Sequence, residues 1–555
     1  MVKLRRSALL VARALCFIYL CWLIVRFIVA MQLTLGVILY NLTLIGIVLA
    51  ALAFIQFTLN DRSLLSLPKH SGLSWRGALA LVVVSLSVVT LMLFMSDRLI
   101  SIPDVVLATG AVMLVSTSMV LMARGRAVDA ICLYILSWPA IVYEAQDWGI
   151  FKRMYFVLSG EVFELLGLLT FVFVIVGLVS RFIHRKDLAI HSRVRAPLIL
   201  LASGLITSAL APFPQRSFIN YLHVILLPLL TFFFFTTSIQ SWNDVKKLFV
   251  AAGVSGGLLS GAALYFVFYR YPVADAILST IRATSGGMMS ETGNWIAEIG
   301  PVTMPSALAL MATATSKRDK VLWGAMAFFI FIALTLTFNR TNMVAIMIGL
   351  FPWLLAIKRR RLTTGFLVLG TLVMLLVVPQ TLGNIFARFE PLTSISGIQS
   401  EGRYIIWRGA LQMFLDHPLT GVGPGMWEQF NVSYGAVYYF WIHTYGRGLV
   451  GYGVSSAHGT FFQVLAEMGL VGLFAVGMIL WSLIDETLYL THSHKQNEKW
   501  LVTAIQSYAL VLAYYCFLGR FPYWEIEKPE MIFCWLWFAL IMAGHRFRQR
   551  EYPLF

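Results

Sequence analysis

Apolar runs of about 20 residues follow one another along most of this chain, broken by short basic turns. Hydrocarbon offers no water to the backbone, so each run must satisfy its own N–H and C=O groups, and a helix is the way one segment does so. Candidate spans fall at about 9–28, 33–58, 77–96, 104–122, 128–144, 155–180, 196–212, 217–238, 246–268, 294–315, 321–338, 342–357, 362–379, 459–482, 500–519 and 530–544. The expected fold class is therefore an all-α polytopic integral membrane protein with about 16 transmembrane helices, within a range of about 12–16. With 59% hydrophobic and 12% charged residues, no large water-soluble domain remains to be placed, which excludes a soluble enzyme.

The net charge of +16 belongs to loop clusters such as Lys358-Arg359-Arg360-Arg361 rather than to one groove. Nucleic acid is therefore not an expected partner. With the N-terminus cytoplasmic, the inner loops receive roughly 28 of the 42 basic residues, the asymmetry that orients membrane proteins. The same parity puts the C-terminus inside. Five cysteines, Cys16, Cys21, Cys132, Cys516 and Cys534, lie in apolar segments without C-x-x-C spacing, so neither a disulfide framework nor a thiolate metal site is indicated. No G-x-x-x-x-G-K-[ST] loop is present, and a nucleotide-driven machine is not indicated.

Residues 380–458 form the one loop large enough to fold, on the extracytoplasmic side. Arg403, Trp407, Leu411 and Phe414 recur at helical spacing and predict a helix with these residues on its apolar stripe. Asp416-His417-Pro418 and Gly421-Val422-Gly423-Pro424-Gly425 should stop it and turn the chain. An aromatic cluster that includes Tyr438 and Trp441 precedes the return to the membrane at His458. Flat aromatic faces of this kind stack on sugar rings and equally settle at membrane interfaces.

Several polar residues stand where their chemistry is costly unless used. Arg340 sits in a short outer turn between apolar runs, and a planar guanidinium at that depth calls for an anion, lipid phosphate or helix carbonyls. Arg403 and Arg408 lie on the loop helix, and guanidinium groups bind phosphate oxygens bidentately, so Arg340 with Arg403 could clamp a diphosphate. His458, at the boundary of loop and membrane, carries an imidazole able to accept a proton near neutral pH. Glu467 falls inside the following apolar run, where it either orients His458 or another polar group or makes a bond within its own helix. Glu390, Glu401, Glu428, Glu525, Glu527 and Glu530 offer a competing divalent-cation site, but no compact ligand set, so no metal is expected.

Three stretches in order resemble the bacterial O-antigen ligase and O-antigen polymerase superfamily. Glu401-Gly402-Arg403 through Trp407 to Ala410, followed by Asp416-His417-Pro418-Leu419-Thr420-Gly421-Val422-Gly423, is similar to the family's arginine, tryptophan and His-Pro-Leu-x-Gly-x-Gly element. His458 with Gly469 and Gly472 fits the ligases' histidine followed by G-x-x-G, and Arg340 with Val344 looks like the family's arginine and leucine. Gly459 departs from the pattern, standing where ligases carry Asn, Ser or Gln, and Val344 replaces Leu.

The resemblance implies a GT-C-like membrane fold in the bacterial inner membrane with a periplasmic active site. It further implies an inverting glycosyltransferase that moves a glycan from a polyprenyl (undecaprenyl) diphosphate donor to a lipid or glycan acceptor, without cofactor. In that reading His458, Arg340 and Arg403 are catalytic, and Arg408, Trp407, Tyr438, Trp441 and Glu467 bind substrate. The chain then divides into an N-terminal transmembrane bundle at 1–319, helices carrying Arg340 at 320–379, the catalytic loop at 380–458 and C-terminal helices at 459–555. The alternative, a transporter or flippase of a lipid-linked or anionic glycan, shares the spans but ordinarily places ionisable groups at mid-membrane.

Overall fold

A computed structural model of the chain describes residues 117–122, 124–145, 155–158, 161–183, 195–270, 290–336, 340–356, 402–435, 456–457, 459–490, 498–517 and 530–551. Packing divides the chain into two units, Met1–Leu188 and Ala189–Phe555.

In the first unit, α1 (Ala127–Ala145) packs against α2 (Leu165–Ile183). The rings of Tyr134 and Phe173 stack with centroids 4.1 Å apart, and Ser180 Oγ donates to the Met122 carbonyl. Before α2 the chain forms an antiparallel hairpin, β1 (Tyr155–Leu158) and β2 (Glu161–Glu164), with Leu158 opposite Glu161. This corrects the expected span at 155–180, whose helix begins only at Leu165. Two carboxylates, Glu161 and Glu164, are costly within hydrocarbon. The intervening sequence Ser159-Gly160 suits a two-residue turn, and Tyr155-Phe156-Val157 favours strand.

The second unit contains α3 (Arg195–Ala209), α4 (Pro214–Tyr221), α5 (Leu227–Ser238), α6 (Trp242–Arg270), α7 (Ser290–Thr313), α8 (Lys317–Leu336) and α9 (Arg340–Ala356). It continues with α10 (Gly402–Asp416), the short α11 (Trp427–Phe430), α12 (Thr460–Leu490), α13 (Lys499–Phe517) and α14 (Glu530–Glu551). A π turn at Leu222–Leu226 joins α4 to α5, so helical backbone runs without a break from Pro214 to Ser238. Helix starts follow their capping residues. Ser241 Oγ accepts the Asp244 N–H at 3.2 Å while Asp244 reaches back to the Gln240 N–H at 3.0 Å, and Ser316 Oγ accepts the Asp319 N–H at 3.0 Å.

Helices α6, α7 and α8 pack against one another, and α7 and α9 both pack on α13. Close approach rests on small residues: a Cβ at Gly256 would lie 2.2 Å from Thr303 Oγ1, and one at Gly300 would lie 2.4 Å from a Leu334 methyl. At the centre, Tyr508 stacks on Trp537 at 3.7 Å and bonds to Ser306. The C-terminal α14 holds the end of α5, where the Arg546 guanidinium donates to the carbonyls of Ile239, at 2.9 Å, and Thr236.

Among the described residues, Pro214–Ser238 and Thr460–Ser482 are long and apolar enough to cross a membrane, and five shorter apolar helices accompany them. The described helices overlap the spans expected at 128–144, 196–212, 217–238, 246–268, 294–315, 321–338, 342–357, 459–482, 500–519 and 530–544. Those at 9–28, 33–58, 77–96 and 362–379 lie outside the described residues, and of the span at 104–122 only 117–122, which is helical, is described.

Candidate functional site

Helix α10 forms where the loop pattern predicts and ends at Asp416, ahead of His417-Pro418. Its buried face differs from the expected one. Ile406, Ala410 and Met413 are fully buried against α12, Trp407 is half-buried, and Leu411 is 44% exposed. The stripe is thus rotated by one residue, because the small pair Gly409-Ala410 lets the two helices approach where Leu411 would hold them apart. Arg408 points away from this face and is exposed.

After α10 the chain does not simply turn; it inserts into α12. At Gly469 that helix breaks, with φ 58° and ψ −150°, a region open essentially to glycine alone. The break frees the helix's own hydrogen-bonding groups, and the turn supplies substitutes. Leu470 and Val471 donate their N–H groups to the carbonyls of Pro418 and Leu419 at 3.0 and 3.1 Å. In return, the carbonyls of Ala466 and Glu467 accept the N–H groups of Val422 and Gly423 at 3.0 and 2.8 Å. Four main-chain bonds thus interlock the loop with the helix.

The glycines are dictated by this contact. A Cβ at Gly421, where φ is 63°, would fall 2.3 Å from the Glu467 carbonyl carbon. One at Gly469 would fall 2.6 Å from that of Leu419. On its other side the turn meets α4. Asn220 Nδ2 donates to the Gly425 carbonyl at 2.8 Å. With the Gln429 amide oriented to accept, the Arg216 guanidinium donates to it at 2.7 and 3.0 Å.

Glu467 closes the arrangement. It is fully buried, and its carboxylate accepts the Gly425 N–H at 2.9 Å, the Trp427 N–H at 3.0 Å and the Gln463 amide at 3.1 Å. Glu467 thus lies inside the protein, committed to main-chain donors of the glycine turn and, as one of its expected uses, to a polar group of its own helix. Its neighbour Gln463 accepts the Ala457 N–H at 2.8 Å. Trp407, expected to bind substrate, stacks on Phe462 at 4.7 Å and donates its indole N–H to the Ala457 carbonyl at 3.1 Å. Farther along the loop, partial burial raises the pKa of the Tyr434 phenol, and the hydrogen-bonded Asp416 carboxylate raises it further.

Of the expected catalytic residues, Arg403 stands in the first turn of α10, one turn before Trp407, and Arg340 is the first residue of α9. The backbone of α10 therefore brings the region of Arg403 toward Ala457, while α9 packs on α7, α8 and α13. His458, Tyr438 and Trp441 lie outside the described residues. His458 is flanked by two that are described, the fully buried Ala457 and Gly459. Gly459 has a local reason: a Cβ there would approach Trp407 Nε1 to 3.2 Å, crowding the indole that holds Ala457. Among the described residues, no group of three or more His, Cys, Asp or Glu side chains could hold a metal.

Sequence reasoning missed Gln463, Asn220 and Arg216. Gln463 carried a usable signal, since it stands four residues before Glu467 in an apolar run and so shares a helix face with it.

Residues 325–477 match the family model described as O-antigen ligase. No curated protein matches the chain. The matched region takes in α9, α10, the interlocked turn and the first half of α12. The mostly helical fold, its apolar helices and this match make the chain an integral membrane protein.

Proposed function

We propose, for a chain whose residues 325–477 match the O-antigen ligase family model, that it is an inverting glycosyltransferase working at the periplasmic face of the bacterial inner membrane. The donor is a glycan on a polyprenyl diphosphate such as undecaprenyl diphosphate. Its lipid tail stays in the bilayer while the diphosphate and first sugar reach the outer boundary. The acceptor is a hydroxyl of a lipid A–core or of a growing repeat-unit chain.

The observation that carries this reading is the interlock at Gly469. It anchors a folded polar loop to a helix fit to cross a membrane, and Trp407 of the loop helix α10 holds the Ala457 carbonyl just before His458. A lipid-borne headgroup needs a site of that kind, rigid and placed at a membrane boundary.

In the proposed reaction His458 takes the proton of the acceptor hydroxyl as its oxygen attacks the anomeric carbon. The bond between that carbon and the diphosphate oxygen breaks on the opposite face, so configuration inverts and polyprenyl diphosphate leaves with the bonding electrons. Arg340 and Arg403 stabilise the charge that grows on the leaving oxygen. Two guanidinium groups thereby supply what a metal would otherwise supply, and the diphosphate already activates the sugar. Arg408, exposed on α10, is available to a further anionic or hydroxyl group of the substrate.

Expression in strains lacking either the ligase or the polymerase tests the reading. Restoration of the surface polysaccharide ladder in one of them supports it and assigns the acceptor. Failure in both, with the protein present in the membrane, counts against it.

A further inference from the structure

The residue that precedes His458, Ala457, has both of its main-chain polar groups held by side chains of different elements. The Ala457 N–H donates to Gln463 of α12 at 2.8 Å, and the Ala457 carbonyl accepts the indole N–H of Trp407 of α10 at 3.1 Å. Ala457 is fully buried, so its main-chain N–H and C=O both need partners, and side chains of two separate elements supply them rather than backbone. A histidine at the next position, whose imidazole must be aimed, gives them a purpose.

The grip is itself tied down. The Gln463 amide donates to Glu467 at 3.1 Å, and Glu467 holds the Gly425 and Trp427 N–H groups. Trp407 is fixed by its stack on Phe462. Gln463 is 6% exposed and Glu467 is fully buried. In so dry an environment each bond is directional and costly to lose, so position passes from the glycine turn through Glu467 and Gln463 to Ala457.

We propose that Gln463 and Trp407 are positioning residues of the transfer reaction, acting through the Ala457 peptide to fix the backbone at His458. The inference rests on the reading of His458 as the base and adds to it the two side chains that fix the main chain leading into that position. Gln463 is suited to the task because its amide accepts at one end and donates at the other. A carboxylate could not donate to Glu467, and an apolar side chain could do neither. Trp407 is suited because its ring packs while its single N–H reaches the carbonyl.

The full chain, purified and reconstituted with a synthetic polyprenyl-diphosphate glycan and acceptor, provides the test. Gln463→Met conserves length and apolar bulk but removes both bonds. Trp407→Phe keeps a ring to stack on Phe462 and removes the N–H. Each variant is expected to lose about 10- to 10²-fold in kcat, the scale of a misplaced catalytic group. The donor KM should stay within about twofold, since the polar groups of both side chains are spent on Ala457 and Glu467 of the protein itself.

Wild-type kcat in both variants overturns the proposal. So does a fall in kcat matched by an equal rise in donor KM, which would mark a binding role. If Gln463→Met does not fold, Trp407→Phe decides alone, since its stack is retained. His458→Ala separates this proposal from the reading beneath it. A dead His458→Ala beside a fully active Gln463→Met rejects the positioning role only, whereas full turnover in His458→Ala rejects the base and the positioning role with it.

Discussion

Removing the Glu467 carboxylate should unfasten the glycine turn from the helix it interrupts. In the folded protein Glu467 Oε2 accepts the Gly425 N–H at 2.9 Å, and Oε1 accepts the Trp427 N–H at 3.0 Å. Glu467→Ala takes the acceptor from both main-chain donors, one in the half-buried Gly425 and one in Trp427, which is only 1% exposed. Each orphaned donor costs about 1–3 kcal/mol. A central figure for the pair is about 3 kcal/mol, since part of the cost is relieved as the turn shifts. At about 1.4 kcal/mol per factor of ten, the open population of the turn rises about 10²-fold.

Chymotrypsin reads this directly, because cleavage after Trp427 requires the ring to leave its pocket, and slow cleavage tracks the open population. Detergent-solubilised Glu467→Ala should therefore be cut at Trp427 about 10²-fold faster than wild type. Glu467→Gln keeps one acceptor oxygen and turns an amide toward the other donor, so it should fall between them at about tenfold. Cleavage of Glu467→Ala within twofold of the wild-type rate would refute the reasoning, because the carboxylate would then not be what holds the turn.

Other perturbations test separate parts. Gly469→Ala and Gly421→Ala each place a Cβ within 2.6 Å of main-chain atoms at positive φ, where no side-chain adjustment gives relief. Both should lower the yield of folded protein and abolish turnover, and normal yield in either would mean that the helix break is not required. Arg340→Ala and Arg403→Ala should each reduce turnover by about 10² or more with insertion intact, the scale of a lost oxyanion contact. Wild-type rates in both would remove the diphosphate clamp. Treatment with EDTA should leave turnover unchanged, and clear loss of activity would revive a carboxylate-bound cation.

The parts of this molecule written in local sequence were readable from it. Apolar runs gave the approximate limits of helices such as Trp242–Arg270 and Thr460–Leu490, and Asp416-His417-Pro418 marked the end of α10. Periodicity alone misassigned the buried face of α10, since the spacing of Trp407, Leu411 and Phe414 fits a stripe as well as Ile406, Ala410 and Met413 do. Only the partner helix decides between them. It also merged the hairpin at 155–164 into a helix, because strand and buried helix share an apolar signal over so short a stretch.

At the site, the glycines and Glu467 were visible as residues, but their purpose was not. The break at Gly469 makes sense only beside Pro418 and Leu419, about 50 residues away in sequence, whose carbonyls replace the helix's own acceptors. For the same reason the two main-chain donors to Glu467 from the glycine turn were not foreseeable, whereas a bond within its own helix, to Gln463, was. A buried carboxylate and a catalytic one look alike until their donors are known. Arg340, Arg403 and His458 remain the residues on which the proposed chemistry rests.

The most direct measurement of that chemistry uses the purified chain in vesicles with a synthetic polyprenyl-diphosphate glycan, a soluble acceptor and no nucleotide. Wild-type protein should release polyprenyl diphosphate in step with an acceptor product of inverted anomeric configuration, and His458→Ala should bind the donor yet form no product. Movement of the intact lipid-linked glycan across the bilayer with no glycosidic bond broken, or equal product from His458→Ala, would contradict it.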